Sequence, residues 1–292
     1  MDQPNKFSAT FKKTKNIKFV LLLGFSIFLY VLLYYPVWKN LFVTWYNSED
    51  YSHGFFIIPI SAYIVWKKKN DLKNINSKPS WLGLILVLFS LILYLFSYVA
   101  EISTMASLSP ILVLTGAIIY FYGFRMLKEL SLPITFLFFM VPIPEQLFSQ
   151  LTIPLQLFVT KISVWFSDLL GIPIYREGNI IHLPGQTLQV VNACSGLRSI
   201  LSILPLAVIL GFFTLNSNLL RSLLFLSGIP TAVIINIIRV MLLVLVFHYM
   251  DFDLTVGTPH TILGILVFFM ALSILLLLKG LLSKWDNNFP KK

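Results

Sequence analysis

Long apolar stretches, separated by short basic or polar segments, dominate this chain. Their positions predict eight helices, near residues 19–37, 54–66, 81–99, 109–124, 131–141, 197–215, 219–248 and 261–279. A helix needs about 20 apolar residues to cross the hydrocarbon core of a bilayer. The second and fifth stretches are shorter, so tilted helices, re-entrant segments or helices continued by less apolar residues are the alternatives there. The pattern predicts an all-α polytopic membrane protein of about eight transmembrane helices.

The stretch from 142 to 196 departs from this pattern. Its first part has apolar residues at helical spacing, interrupted by Gln146, Gln150, Gln156 and Asp168. Such a pattern favours an amphipathic helix at the membrane interface, or a broken helix in the protein interior. From Ile174 to Val191 the residues alternate as in strands, with turn signals at Gly178 and Pro184-Gly185. We therefore expect a small extracytoplasmic element before the sixth helix.

Composition agrees with a membrane protein and excludes a water-soluble globule. Of the 292 residues, 57% are hydrophobic and 12% are charged, and the mean hydropathy is +0.84. Soluble domains are typically about 25% charged. The first apolar run has no small-residue cleavage site, which favours an uncleaved first helix over a signal peptide. We expect a cytoplasmic basic tail over 1–18, a single transmembrane domain over 19–280 that includes the 142–196 insert, and a cytoplasmic tail over 281–292.

The net charge of +10 indicates topology and not nucleic acid, since the basic residues mostly flank apolar segments. With the N-terminus inside, 17 of the 22 basic residues lie on the cytoplasmic side. They are Lys6, Lys12, Lys13, Lys15, Lys18, Lys67, Lys68, Lys69, Lys73, Lys78, Arg125, Lys128, Arg221, Lys279, Lys284, Lys291 and Lys292. The inverted orientation would place them outside. Both termini are therefore predicted to be cytoplasmic.

Ionisable groups within membrane segments are rare here, so each is a candidate for function. Arg239 follows Asn236-Ile237-Ile238 in the outer half of the seventh predicted helix, with Asn236 on the same helical face. The alternative is an arginine whose side chain reaches the outer headgroups.

Cys194 is the only cysteine, so it forms no intrachain disulfide. It lies in Asn192-Ala193-Cys194-Ser195-Gly196-Leu197-Arg198, where the sixth predicted helix begins. A helix N-terminus and nearby cations favour the nucleophilic thiolate. Asn192 is a plausible helix cap, while Arg198 and Arg239 are candidate cations. The alternative is an ordinary buried thiol that packs as a small hydrophobe.

His260, in Gly257-Thr258-Pro259-His260, lies at the outer start of the last predicted helix. Histidine is the usual acid and base near neutral pH. Gly264, one turn later, is expected to let a neighbouring helix approach closely. His53, at the outer start of the second predicted helix, is a rival, and His182 and His248 also fall on the outer side. Location alone therefore does not select the base.

The three candidates belong together by topology. Loop charge places Cys194, Arg239 and His260 at the outer ends of three consecutive helices, although none of them entered that orientation argument. A thiolate, a proton donor and acceptor, and a fixed cation are the parts that acyl transfer requires.

At these residues the sequence resembles the exosortase and archaeosortase family. The similarity lies in Asn192 to Arg198, in Asn236 to Arg239 and in Pro259-His260 with Gly264, and it extends to Tyr51-Ser52-His53-Gly54 and Pro142-Ile143-Pro144. The family comprises bacterial and archaeal membrane enzymes of about eight helices. They are thought to process proteins whose C-terminal signal joins a motif such as Pro-Glu-Pro, a transmembrane helix and a basic cluster.

The resemblance implies roles for individual residues. Cys194 would be the nucleophile, Arg239 the stabiliser of the oxyanion or thiolate, and His260 the acid and base, with Asn192, Ser195, Arg198, Asn236 and His53 in support. It also implies an inner-membrane enzyme with its site at the extracytoplasmic face, acting on membrane-anchored substrates with a PEP-CTERM-type signal and an unknown acceptor.

Three other functions remain open at the level of sequence. A transporter would use Arg239 and Asn236 to bind an anion, but the duplicated halves common in transporters are not visible. A scaffold for envelope assembly would need no chemistry, and a simple protease would pass the acyl-enzyme to water. The chain shows no metal-ligand cluster and no phosphate or dinucleotide motif, so no cofactor and no nucleic-acid partner are predicted.

Overall fold

The computed structural model describes residues 21–22, 24–48, 50–184, 186–190, 196–252, 254 and 257–286. The chain divides into two compact units. Unit 1 comprises Met1–Asn47 and Asn70–Leu130, and unit 2 comprises Ser48–Lys69 and Ser131–Lys292. The domain bounds expected from the sequence stay a prediction.

Helices account for most of the described chain. In chain order they are α1 (Gly24–Leu33), α2 (Tyr35–Asn47), α3 (Gly54–Lys67), α4 (Lys69–Lys73), α5 (Leu82–Val99), α6 (Ser103–Tyr122), α7 (Phe124–Leu137), a 3-10 turn (Phe138–Met140), α8 (Glu145–Leu169), α9 (Leu197–Thr214), α10 (Asn218–Met250) and α11 (Gly257–Asp286). Three short strands, β1 (Tyr175–Glu177), β2 (Ile180–Leu183) and β3 (Gln186–Gln189), lie between α8 and α9.

Within the described ranges, six helices are long and apolar enough to cross a membrane: α5, α6, α8, α9, α10 and α11. A seventh span results if the bent pair α1 and α2 counts as one. The eight spans predicted from the sequence are therefore not confirmed. The polytopic helical class is confirmed, and the predicted helices near 81–99, 197–215, 219–248 and 261–279 are present.

Three segments account for the difference in the number of spans: α3, α7 and α8. Helix α3, which corresponds to the second predicted helix, has only 14 residues and is too short to count as a span. The expected fifth helix, near 131–141, is the end of α7 followed by a 3-10 turn. The 14 residues of α7 extend only about 21 Å, which is less than the hydrocarbon thickness. In contrast, the first part of the 142–196 insert is one continuous helix, α8, of 25 residues. Despite its polar residues, α8 is long and apolar enough to cross a membrane.

In unit 1, the first predicted helix is interrupted at Tyr34, where α1 and α2 meet at an angle of 65°. Pro36 accounts for the break because it lacks the N–H that would continue the helical hydrogen bonds. The Tyr34 side chain is fully buried, and its hydroxyl lies 2.6 Å from Ser109 Oγ in α6. Tyr94 Oη in α5 donates a hydrogen bond of 3.1 Å to the Leu33 carbonyl, which lies at the break. The two tyrosines thus form hydrogen bonds with polar groups of α1 and α6 that lipid chains could not satisfy.

Helices α5 and α6 of unit 1 pack unusually closely where they cross. A Cβ added at Gly83 would lie 2.2 Å from the backbone nitrogen of Tyr120 and 2.5 Å from the carbonyl oxygen of Gly116. Small residues let membrane helices approach in this way. A Cβ at Gly264, by contrast, would meet no described atom within 4 Å, so the close helix approach expected there is not found.

In unit 2, the three strands form an antiparallel sheet in the order β1-β2-β3, which confirms the strands predicted between Ile174 and Val191. Ile181 and Leu188 are paired across the sheet, and both are buried in a core shared with α8, α9, α10 and α11. The sheet therefore fixes the path of the chain toward α9. Its position outside the membrane stays a prediction.

The basic helix ends of unit 2 meet at one end, which we name the basic end and define by Lys67, Lys68, Arg221 and Lys284. The Asp286 carboxylate accepts hydrogen bonds from the backbone nitrogens of Asn216, at 2.6 Å, and Ser217, at 2.9 Å. Lys67 Nζ lies 4.5 Å from the Phe213 ring centroid. These contacts bring the last turns of α3, α9 and α11 to the start of α10.

We expect Gly83→Ala to destabilise unit 1, because a methyl group has no space against the α6 backbone. Overpacking of this kind typically lowers the free energy of unfolding by about 1–3 kcal/mol. Unfolding in mixed detergent micelles measures the change. Gly24→Ala is the control, since no described atom lies within 4 Å of its added Cβ. Equal stability of the two variants would contradict the close α5–α6 packing.

Candidate active site

The candidate site lies at the end of unit 2 opposite the basic end, where α3, α9 and α11 begin. Arg239 projects from the second half of α10 and is only 6% exposed, and Asn236 on the same helix is fully buried. Arg239 lies 18 residues after Arg221, or about 27 Å along the helix axis. This distance nearly equals the hydrocarbon thickness of about 30 Å. Arg239 thus lies at the depth expected for the far membrane boundary.

Arg239 is joined directly to His260. Its Nη2 lies 2.9 Å from the Nε2 of His260, in the first turns of α11. A guanidinium can only donate, so Nε2 must accept this hydrogen bond. The ring is therefore neutral in this arrangement, with its proton on Nδ1. That Nδ1 is buried and has no hydrogen-bond partner among the described residues.

The start of α9 packs against the same part of α10. Gly196, the residue before α9, has a positive φ of +89°, a conformation that favours glycine. A Cβ added there would lie 3.2 Å from the Asn236 side-chain nitrogen. This contact places the chain at Gly196 beside the helix turn that carries Arg239.

Asn192, Cys194 and Ser195 lie outside the described residues. The chain on either side of them is described. Val190 is 4% exposed and forms two hydrogen bonds with Asn179. The Val190 nitrogen donates to the Asn179 carbonyl at 2.9 Å, and Asn179 Nδ2 donates to the Val190 carbonyl at 3.2 Å. Gly196 lies on the other side, against Asn236.

Arg198, expected to favour a thiolate, is engaged with a residue that the sequence analysis did not single out. Its Nε donates to the Asp50 carboxylate, and the side chains are 29% and 24% exposed. The carboxylate offsets the charge of Arg198, so Arg198 is a weaker candidate than Arg239 for stabilising a thiolate. The sequence signal was faint, since Asp50 lies just before the Tyr51-Ser52-His53-Gly54 motif but 148 residues from Arg198.

His53 lies in the same short turn as Asp50. Its Nε2 lies 3.1 Å from the Phe139 carbonyl oxygen and donates to it. Burial lowers the pKa of His53, although the hydrogen bond to Phe139 and the proximity of Asp50 act in the opposite direction. His53 is therefore neutral at neutral pH and holds the end of α7, in a role distinct from that of His260.

Contacts also separate His260 from the remaining histidines. His182 stacks on Tyr175 with the ring centroids 4.4 Å apart, and its Nε2 lies 3.5 Å from a Glu177 carboxylate oxygen. His248 is exposed near the end of α10. Of the four histidines, His260 is the one whose ring bonds Arg239. In the described part of the chain, no group of three or more His, Cys, Asp or Glu side chains could hold a metal ion.

Comparison with protein families matches residues 45–277 to the model described as transmembrane exosortase (Exosortase_EpsH). The chain belongs to the exosortase family. The match covers most of the chain and contains every candidate residue named above. Comparisons with curated proteins and with solved structures give no significant match.

Family membership assigns this exosortase to a class of transmembrane proteases and transpeptidases. The substrates of that class are membrane-associated proteins with sorting signals. The part of the site that the structure describes is a partly buried pair of a permanent cation and an imidazole, next to the start of α9.

We expect Gly196→Ala to disturb the segment that carries Cys194. A left-handed conformation costs a residue with a Cβ about 1–2 kcal/mol. Here the methyl group would also press on Asn236. Gly178→Ala is the matched control, because Gly178 has φ +63° but no described atom within 4 Å of an added Cβ.

Both variants should lose unfolding free energy because of the left-handed backbone, Gly196→Ala more than Gly178→Ala because of Asn236, and only Gly196→Ala should change the rate at which a maleimide labels Cys194. Since Cys194 is the only thiol of the chain, labelling reports on this position alone. Identical labelling rates in the two variants would show that Gly196 does not position the segment.

Proposed function

We propose that this exosortase is a cysteine transpeptidase. It cleaves a C-terminal sorting signal of the PEP-CTERM type through an acyl-enzyme on Cys194 and transfers the protein to an acceptor. Arg239 stabilises the oxyanion, and His260 carries the proton. The reaction takes place at the extracytoplasmic face of a bacterial or archaeal inner membrane, with both termini in the cytoplasm.

The observation that carries this proposal is the hydrogen bond between the buried Arg239 and the partly buried His260. A cation placed inside an apolar bundle is costly and is usually retained for function. Here it contacts a histidine, the residue most used for proton transfer near neutral pH. A cation and a base held in contact are two of the three groups that acyl transfer by a thiol requires.

Chain connectivity supports Cys194 as the third group. Cys194 is two residues before Gly196, and two extended residues span at most about 7 Å. Gly196 packs on Asn236, which precedes Arg239 by one helical turn. The Cα of Cys194 therefore lies within reach of the part of α10 that bears Arg239.

The first step forms a thioester. The Cys194 thiolate attacks the carbonyl carbon at the cleavage site, and the negative charge that develops on the carbonyl oxygen is stabilised by Arg239. Before this attack, Arg239 turns from His260 toward the substrate carbonyl, which leaves His260 Nε2 free to accept the proton of the Cys194 thiol and so to form the thiolate. The imidazolium delivers that proton to the departing amine as the C–N bond breaks.

The second step releases the substrate protein. Neutral His260 removes a proton from the acceptor nucleophile, which attacks the thioester. The new acyl bond forms, the C–S bond breaks, and the thiol is restored. Water in place of the acceptor would give hydrolysis through the same acyl-enzyme. No cofactor enters either step.

The two ends of unit 2 are matched to such a substrate. The basic end carries the lysines and arginine that favour the cytoplasmic side. The opposite end, with Arg239 and His260, then faces outward. A substrate helix with its own basic cluster inside would present the motif before that helix at this outer end.

We expect Cys194→Ala, Arg239→Ala and His260→Ala to abolish processing of a membrane protein that bears the signal. Each variant removes one group from acyl transfer. Cells that express enzyme and substrate are analysed by immunoblot at equal enzyme abundance, with His248→Ala as the control for a histidine outside the site. Full processing by Cys194→Ala would refute covalent catalysis and favour a transporter or scaffold.

We expect Arg239→Lys to retain only part of the activity. Lysine keeps the charge but lacks the planar guanidinium that reaches both His260 and the oxyanion. Loss of one oxyanion donor typically lowers kcat by about 10²–10³-fold. Single-turnover cleavage of a fluorescent signal peptide in proteoliposomes measures the effect. Wild-type kcat in Arg239→Lys would show that charge alone is enough.

A further inference from the structure

The Asp50–Arg198 ion pair joins two parts of the chain that are remote in sequence but adjacent in unit 2. Arg198 is the second residue of α9, and its Nε donates to Asp50 Oδ1. Both side chains are less than one-third exposed, so solvent screens the pair only in part. A hydrogen bond between charged groups is stronger than one between neutral groups. The pair therefore constrains the first turn of α9.

Asp50 is presented by a turn that is itself anchored. This turn, residues 50–54, is closed by a 2.8 Å hydrogen bond from the Gly54 nitrogen to the Tyr51 carbonyl. Tyr51 Oη accepts a hydrogen bond of 3.1 Å from the Ile143 nitrogen, and His53 Nε2 donates to the Phe139 carbonyl. The 50–54 turn is thus attached on both sides of Pro142, and it holds Asp50 in a fixed position.

Movement at Arg198 would pass directly to the nucleophile segment. Gly196 immediately precedes α9, and its carbonyl accepts the hydrogen bond of Ile200, so it belongs to the same first turn as Arg198. Cys194 is two residues before Gly196. A displacement of about 1 Å at a reacting group is enough to lower a rate about 100-fold.

The Asp50 carboxylate also acts on the charge of Arg198. It contacts the guanidinium and offsets its positive charge. Arg198 lies four residues after Cys194 in the chain, and a cation near a thiol favours the thiolate. Asp50 therefore reduces the effect of Arg198 on the Cys194 thiol.

We propose that Asp50 is a positioning residue of the active site. Its carboxylate holds Arg198, and with it the start of α9, in place, and it offsets the charge of Arg198 near the Cys194 thiol. This inference rests on the proposed function for its catalytic consequence, whereas its effect on the thiol can be measured independently.

The test uses the full-length enzyme in proteoliposomes and two measurements. One is kcat and KM for a signal peptide, and the other is the pH midpoint of iodoacetamide alkylation of Cys194. The charged or titratable groups of the 50–54 turn, the Asp50–Arg198 pair and the Arg239–His260 pair are Asp50, Tyr51, His53, Arg198, Arg239 and His260. Of these, only Asp50 and Arg198 are changed.

In Asp50→Asn, Arg198 loses its counter-charge, and a nearby positive charge lowers a thiol pKa. We expect the alkylation midpoint to move to lower pH by about half a unit or more. We also expect kcat to fall at least about tenfold as α9 shifts, with KM within about twofold. The double variant Asp50→Asn with Arg198→Gln should return the midpoint to the wild-type value but leave kcat low. Exchange of the two residues, Asp50→Arg with Arg198→Asp, should recover part of the lost kcat.

Glu177→Gln is the matched control. Glu177 is also an acidic partner in an ion pair of unit 2, but its side chain is 81% exposed. We expect neither measurement to change in this variant. If Asp50→Asn is not recovered as a folded protein, Asp50→Ser, which also removes the carboxylate, provides the same comparison.

An unchanged alkylation midpoint and kcat in the Asp50 variants would overturn the inference. So would a loss of kcat in the exchanged pair as large as in Asp50→Asn. Failure of the proposed function gives a different result, because processing would then survive Cys194→Ala while the midpoint shift in Asp50→Asn could still be observed.

Discussion

A permanently charged guanidinium inside an apolar helix bundle is the constraint on which the site end of this protein depends. Transfer of an isolated charge from water into a medium of low polarity is strongly unfavourable. Arg239 is nevertheless 6% exposed, beside a fully buried Asn236. A ring nitrogen of His260 accepts one of its hydrogen bonds at 2.9 Å, which offsets part of the cost of burial. The same contact also brings together the candidate cation and the candidate base.

The bundle of unit 2 holds this arrangement from both ends. At the basic end, Asp286 binds the connection between α9 and α10, so the last turn of α11 is fixed to the first turn of α10. At the site end, α9 is restrained by Arg198 and by the contact of Gly196 with Asn236. Helices fixed at both ends keep their register, and register determines whether His260 meets Arg239.

Sequence reasoning succeeded where one physical signal dominated and failed where two competed. The uniform apolar runs of α5 and α10 marked those helices clearly. In α8, polar residues at helical spacing indicated an interfacial helix, while the length of 25 residues made it a candidate span. The sequence also does not show which glycines allow two helices to pack closely. Only the structure shows that Gly83 has a close neighbour and that Gly264 does not. Asp50 and Arg198 lie too far apart in sequence to be paired by pattern.

The direction of each predicted helix placed Arg239 and His260 at the same end of the bundle, and their contact in the structure agrees with this. The placement of Cys194 beside them stays a prediction.

The order of the helices along the chain has a consequence for biosynthesis. Membrane proteins emerge from the ribosome N-terminus first, and His260 lies in the first turns of α11, the last of the described helices. Until α11 has inserted, Arg239 lacks its hydrogen bond to His260, and the candidate base is absent. The partly made chain therefore holds the candidate nucleophile without the pair that is proposed to act with it. Under the proposed mechanism, cleavage activity arises only after this helix has been synthesised and has packed against α10.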